Sequence, residues 1–280
     1  MKLNSLYGLK WNPFSADVPV EALWNFPQLE HFCWRMQSQV REGGFALISG
    51  DPGTGKSVAL RILASHLGGF RDVQVGVLTR PQSAIADFYR ELGQLFAVPL
   101  APHNRWGGFK ALRQKWLTHV EATHYRPVLL VDEAQEIPPP VLAELRILAS
   151  ADFDSRSILS VVLCGDARLT QQFRREELLP IASRIRTRLN LDYLSPQQLH
   201  EWLCHVLEQA GNPELMTPEL MTTLTEHAAG NLRVLATMGN ELLALAARRE
   251  LAQVDQKLYF EAFTPQVQSK PRTVGAAARA

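Results

Sequence analysis

Three observations predict an α/β architecture: a parallel sheet covered by helices on both faces, followed by a small helical domain. Short apolar runs alternate with stretches of helical length along the first two thirds of the chain. One run leads into a glycine-rich turn, Gly50-Asp51-Pro52-Gly53-Thr54-Gly55-Lys56-Ser57, and on into a helix. Beyond Tyr193 no strand-like run remains.

The elements follow in order. Residues 1–27 are rich in aromatics and proline, and Tyr7-Gly8-Leu9-Lys10-Trp11-Asn12-Pro13-Phe14 marks an ordered arm that packs on the body. A helix is expected over 28–41, ending at Gly43-Gly44. Buried strands are expected at 45–49, 73–78, 128–131, 158–163 and 189–194, with helices at 83–96, 109–122 and 141–149. These make one domain over 28–193. A helical domain over 194–263 follows. Ser195-Pro196 and Thr217-Pro218 each pair an N-cap residue with proline in the first turn, and Gly230-Asn231-Leu232-Arg233 opens a third helix. Residues 264–280 are polar and alanine-rich and read as a disordered tail.

Bulk properties narrow the function. The chain has 29 basic and 28 acidic residues and a formal net charge of +1, so no global basic field demands nucleic acid. Its 3 cysteines, Cys33, Cys164 and Cys204, are widely spaced and suggest neither a disulfide framework nor a zinc site. There is no signal-peptide core and no spanning apolar run, so the expected location is cytoplasmic with no membrane segment.

The glycine-rich turn carries the chemistry. Its pattern, G-x-x-x-x-G-K-[ST], is that of a loop whose backbone N–H groups wrap an anionic phosphate. Glycine permits the close approach and the unusual φ angles. The contacts expected with nucleotide are made by Asp51, Pro52, Gly53, Thr54, Gly55, Lys56, Ser57 and Val58. Lys56 supplies a cation to the outer phosphates of ATP, and the Ser57 hydroxyl ligates Mg²⁺. The following helix presents its N-terminus to the same charge.

The apolar run at 128–131 ends in Asp132-Glu133. In a buried parallel strand, acids are tolerated at the carboxyl end, where ligands bind. Asp132 is assigned to Mg²⁺ and Glu133 to polarising the attacking water. The run at 158–163 leads to Gly165-Asp166-Ala167-Arg168-Leu169. Asp166 either holds that water beside Glu133 or caps the following helix. Ser183-Arg184-Ile185-Arg186-Thr187-Arg188 places three arginines just before the expected last strand. Presented across a subunit boundary, Arg184 first and Arg188 second could stabilise charge on a transferred phosphoryl group; a solvated or DNA-facing edge is the alternative. Arg233 stands at a helix start, where its charge opposes the helix dipole; that conflict favours a functional contact with the nucleotide.

Together these residues resemble an AAA+ ATPase. Gly50 to Ser57 matches its Walker A motif, Asp132-Glu133 its Walker B, and Gly230-Asn231-Leu232-Arg233 its sensor 2. The resemblance implies a three-layer P-loop AAA+ domain with a 5-1-4-3-2 parallel sheet and an α-helical lid, and places Pro13 and Phe14 near the adenine. A narrower similarity is to the ExeA/TniB/TnsC group, to which the phage Mu B protein is a looser relative. It rests on Tyr7-Gly8-Leu9, Asn12-Pro13-Phe14, Asp132-Glu133-Ala134-Gln135, Gly165-Asp166-Ala167-Arg168-Leu169 and Arg184-Ile185. That group has Gly-Gln where this chain has Gly165-Asp166, which weakens the match at sensor 1. ExeA-type proteins carry a membrane segment and a periplasmic extension that this sequence lacks, so it looks more like a transposition regulator.

The resemblance implies ATP-driven self-association into a ring or helical filament on duplex DNA, recruitment of a transposase, and disassembly on hydrolysis. The alternative is an ExeA-like ATPase acting on protein or envelope partners. A third reading, a switch that binds ATP without turning it over, is opposed by the presence of Glu133. For DNA, the stretch His103 to Lys110 reads as a loop mixing cations, aromatics and a glycine pair. Asn104, Arg105, Lys110, Arg113 and Arg80 are the expected phosphate contacts, with Lys115 a further one.

Overall fold

The computed structural model describes residues 2–100 and 104–263. The 264–280 tail and His103 lie outside the described residues. Helix α1 (Lys2–Tyr7) opens the arm, and α2 (Pro27–Glu42) leads to β1 (Gly44–Gly50). Next come α3 (Lys56–Gly68), β2 (Val75–Leu78), α4 (Ile85–Leu95), α5 (Arg105–Thr123) and β3 (Val128–Val131). After α6 (Pro139–Ala149), a ribbon of β4 (Ser150–Ala151) and β5 (Arg156–Ser157) precedes β6 (Ser160–Gly165). Short helices α7 (Ala167–Gln172) and α8 (Leu179–Ala182) lead to β7 (Ile185–Leu191). Helices α9 (Pro196–Ala210), α10 (Pro218–His227), α11 (Leu232–Arg248) and α12 (Gln256–Phe263) complete the described chain.

The main sheet is wholly parallel, in the order β2-β3-β6-β1-β7. Counted within this sheet alone, that is 5-1-4-3-2. Alternation along each central strand feeds two separate cores. Phe45 and Leu47 of β1, with Leu129, Val131, Val161 and Leu163, pack against α4, α5 and α6. Ala46 and Ile48, with Val128, Leu130, Val162 and Cys164, pack against α2 and α3. A strand buried on both faces has no polar position to offer, which explains the unbroken apolar runs.

The arm is not an independent unit. Tyr7, Leu9 and Phe14 are buried within the core of α9 to α12. Backbone Lys10 N–H donates to Ala210 at 2.8 Å, and Asn212 donates to the Tyr7 carbonyl at 2.9 Å. A Cβ at Gly239 would lie 2.8 Å from the Phe14 ring, so α11 needs glycine there to admit it. Arg61 of α3 donates to the carbonyls of Ala16 and Val18, tying the arm to the sheet domain as well.

Two expectations shift. The last strand begins at Ile185, not at 189, so Arg186 and Arg188 lie inside β7 and only Arg184 precedes it. Residues 185, 187, 189 and 191 point inward while Arg186, Arg188 and Asn190 point outward. This edge strand therefore alternates, where the central strands do not. Second, the stretch read as a DNA-facing loop is the start of a helix. Asn104 caps α5 by accepting from Gly107 N–H at 2.7 Å. Gly108 lies within the helix, its bare face beside Tyr89 and Leu100.

Four of the residues expected at DNA make contacts within the chain. Asn104 is that cap. Arg105 pairs with Glu144 at 2.5 Å, and buried Glu144 also accepts the Tyr89 hydroxyl at 2.5 Å. Burial, followed by that bond to Glu144, pushes the Tyr89 phenol above its usual range. Arg113 donates to the Ile147 carbonyl at 3.0 Å and to Ser150, closing the end of α6; burial lowers its basicity. Lys115 donates to the Phe96 carbonyl at 2.5 Å. Removing Glu144 leaves the Tyr89 hydroxyl unpaired in the core. Glu144→Ala is expected to cost about 2 kcal/mol, read as a lower midpoint in thermal or urea unfolding.

Candidate nucleotide-binding site

β1 ends where its neighbours crowd in. A Cβ on Gly50 would sit 2.4 Å from the Leu191 carbonyl oxygen, so the turn out of the strand requires glycine. Gly53 (φ +87°) and Gly55 (φ +95°) then adopt left-handed backbone that side chains disfavour. Thr54 closes the loop, its hydroxyl donating to the Asp51 carbonyl at 2.9 Å. Gly55 serves as N-cap of α3 with no side chain to satisfy the first N–H groups, and the first turn carries no acid. The helix thus presents open donors and the positive end of its dipole.

Lys56 is 7% exposed, yet its ammonium donates only to loop carbonyls, Gly50 and Asp51, each at 2.9 Å. Its charge therefore stays beside the cradle. The glycine cradle, the open donors and the buried cation together fit a polyphosphate. The Ser57 hydroxyl has no protein partner among the described residues, and Asp132 stands half-buried at the tip of β3. Hydroxyl and carboxylate oxygens are the donors that Mg²⁺ takes.

The cleft above the loop has a volume of about 490 Å³ and is lined by residues of the arm, α3, β3 and the lid. Pro13, Phe14, Gly53 to Val58, Glu133 and Arg233 all line it. Asp51 and Pro52 form the exposed outer turn. Trp24, Phe26 and Trp202, which sequence reasoning did not single out, supply much of the apolar wall with Leu232.

Glu133 sits in the left-handed region at φ +50°, ψ 41°. A non-glycine residue there is uncommon, and such outliers concentrate at functional sites. Asp132 helps hold it, accepting Glu133 N–H at 2.9 Å. Beneath both acids lies buried Cys164. Burial first, then the negative charge of Asp132, pushes its thiol well above the usual range; Lys56 and Glu133 also act on it.

Asp166 lies at the tip of β6. It caps α7, accepting Arg168 N–H at 2.9 Å, and Arg168 also grips its carboxylate at 2.8 Å. Partial burial works to raise its pKa, but the Arg168 bonds prevail and hold it below the usual range. The geometry supports the capping reading.

Arg233 is exposed at the mouth of the cleft, and its backbone N–H donates to the Gly53 carbonyl at 3.3 Å. Asn231 caps α11 through two N–H groups and donates to the Pro52 carbonyl at 3.1 Å. A Cβ on Gly53 would lie 2.2 Å from its Oδ1. The lid therefore grips the outer carbonyls of the phosphate loop. Arg184 and Arg188 are not in this cleft. Phe45 pairs with Ile185, so Arg184 stands level with the start of β1, about 20 Å from the phosphate loop at the rise of a strand. Arg184 pairs with Asp154 at 2.5 Å, whereas Arg188 is exposed and has no side-chain partner among the described residues.

Comparison with known proteins agrees with this geometry. Residues 39–173 match the family model described as AAA domain. The general secretion pathway protein A of Aeromonas hydrophila is 30% identical over 252 residues, 87% of this chain. The chain spans 44% of that relative's length. Among solved structures, the Aeropyrum pernix ORC2 protein, in ADPNP and ADP complexes, aligns with a TM-score of 0.69 at 13% identity. The alignment covers 90% of this chain and 70% of that one. The A. pernix ORC1 protein in complex with DNA gives 0.65 at 18%, covering 89% and 67%. Among the described residues, no helix is long and apolar enough to cross a membrane. Residues 39–173 are thus similar to the AAA domain family, and the chain has the α/β P-loop AAA+ fold of the ORC structures.

Proposed function

We propose that this chain is an ATPase of the AAA+ kind whose nucleotide-dependent self-association on duplex DNA regulates transposition. The observation that carries the ATPase reading is the single cleft in which the glycine cradle, Lys56 and strained Glu133 converge. ATP would place its phosphates on the loop N–H groups and its base against the Pro13 and Phe14 wall. Ser57 and Asp132 would hold Mg²⁺, which supplies charge neutralisation when bound. Glu133 takes a proton from the attacking water. Arg233 reaches the phosphates from the lid. Arg184, too far from its own loop, serves the site of a second copy, with Arg188 the next choice; nucleotide occupancy and assembly are then coupled.

The DNA reading is supported by the fold shared with a DNA-bound ORC1 structure. Of the cations proposed for DNA, Arg80 and Lys110 are exposed with no ion-pair partner among the described residues, Lys110 lying over the Trp106 ring at 5.2 Å. A modest number of phosphates per copy suffices when copies are linked along one duplex. A second reading, a secretion-linked ATPase acting on protein partners, is favoured by the 30% identity to the secretion pathway protein.

An ATP-dependent gel shift on duplex DNA, with negative-stain imaging, tests the proposal. Wild type is expected to shift DNA only with Mg–ATP and to form rings or filaments. Replacing both Arg80 and Lys110 by alanine should weaken the shift. It should also flatten the salt dependence by about 1 log unit per log unit of salt for each phosphate no longer neutralised. A protein that hydrolyses ATP yet neither binds DNA nor assembles on it would point to the secretion reading.

A further inference from the structure

We propose that Gln135 is the positioning residue for the Glu133 base, linking it to the tip of β6. The inference rests on Glu133 being the general base. Gln135 lies in the 3-10 turn Ala134–Glu136 and is 5% exposed. Its amide nitrogen donates to Glu133 Oε2, and its amide oxygen accepts Asp166 N–H at 3.3 Å. Among the described residues it is the one side-chain donor on the Glu133 carboxylate. The nearby guanidinium of Arg168 is taken by Asp166 and Glu136.

The arrangement is specific. Rotating the amide by half a turn would set oxygen against carboxylate and nitrogen against N–H, so the two partners fix its orientation. A Cβ at Gly165 would sit 2.5 Å from Gln135 Oε1, so only glycine lets the amide reach Asp166. The turn is held from the same side by Gln172 donating to the Gln135 carbonyl at 2.9 Å and by Arg168 to Glu136 at 3.0 Å. A displacement of the β6 tip or of α7 is therefore passed to the base. The link from this strand tip to the water-activating group runs through the Asp166 backbone and Gln135, not through the Asp166 carboxylate.

Gln135→Glu and Gln135→Leu separate this role from a structural one. Glutamate has the same shape and still accepts Asp166 N–H, but it loses the donor and sets two carboxylates together. Leucine loses both bonds. Steady-state ATP turnover is measured for both, beside wild type and Glu133→Gln. Both Gln135 variants are expected to lose kcat by at least about 10-fold with KM within about twofold, since a displaced base costs the chemical step and not binding. Gly165→Ala, which pushes the amide aside without touching it chemically, is expected to lower kcat in the same way. A Gln135→Glu variant with wild-type kcat beside an impaired Gln135→Leu would make Gln135 a brace for Asp166 and overturn the inference. Full kcat in both, or KM rising along with the loss, would overturn it equally. A wild type with no turnover would bring down the ATPase reading itself, and this inference with it.

Discussion

Glu133→Gln is expected to abolish turnover while leaving ATP bound. Glutamine keeps the volume and one hydrogen-bonding oxygen but cannot accept a proton from water, and loss of a general base costs about 10²–10⁴ in rate. Little binding energy should go with it, because the phosphates rest on loop N–H groups, Lys56 and the helix terminus. The variant also retains a partner for Gln135, whose amide now donates to a neutral carbonyl instead of a carboxylate. Where hydrolysis drives disassembly, the trapped protein accumulates as ATP-bound oligomer. Single-turnover hydrolysis alongside a fluorescent-nucleotide titration checks both halves. Wild-type turnover in this variant would remove Glu133 from the role of base.

Lys56→Ala should act one step earlier, on binding. The Lys56 ammonium holds the loop by two bonds to its own carbonyls and is the buried cation beside the cradle. Deleting it loosens the loop and leaves the phosphates short of a charge-assisted partner. Hydrogen bonds to charged groups are worth about 1.5–3 kcal/mol each, so affinity should fall roughly 10- to 100-fold. Turnover falls with it at moderate nucleotide concentration. The contrast with Glu133→Gln is the informative part: one variant binds and stalls, the other binds roughly 10- to 100-fold more weakly. A titration by calorimetry or fluorescent nucleotide reads the difference directly.

The parts of the site that were legible in the sequence are those whose chemistry demands contiguous residues. A phosphate cradle must be built from one loop between a strand and a helix, so Gly50 to Ser57 announces itself. Asp132-Glu133 is equally local, two acids on the end of an unbroken apolar strand. What escaped depends on partners distant in the chain. Gln135 looks like any polar residue until the β6 tip is brought against it. Asn231 reads as a helix cap, and its second bond, to Pro52, exists only once the lid closes on the loop. The arm's aromatics predicted packing but not that they fill the lid core.

The partners of charged residues are hidden for the same reason. Arg105 and Arg113 look free in sequence, yet Glu144 and the end of α6 claim them. The ribbon of β4 and β5 went unseen because its turn, Asp152-Phe153-Asp154, carries three consecutive left-handed residues without a glycine to signal them. β7 begins earlier than 189 because Ile185 and Thr187 continue its alternation, with arginines on the outward face.

Completion of the cleft by a second copy is read out by mixing two inactive proteins. Arg184→Ala keeps Glu133 but offers no arginine to its neighbour, a loss of about 10³ in rate. Glu133→Gln keeps Arg184 but has no base. At one junction in the mixture, an intact base faces an intact arginine. The account predicts that ATPase activity, absent from either variant alone, returns on mixing. A mixture that stays inactive, or an Arg184→Ala protein with wild-type turnover, would contradict it.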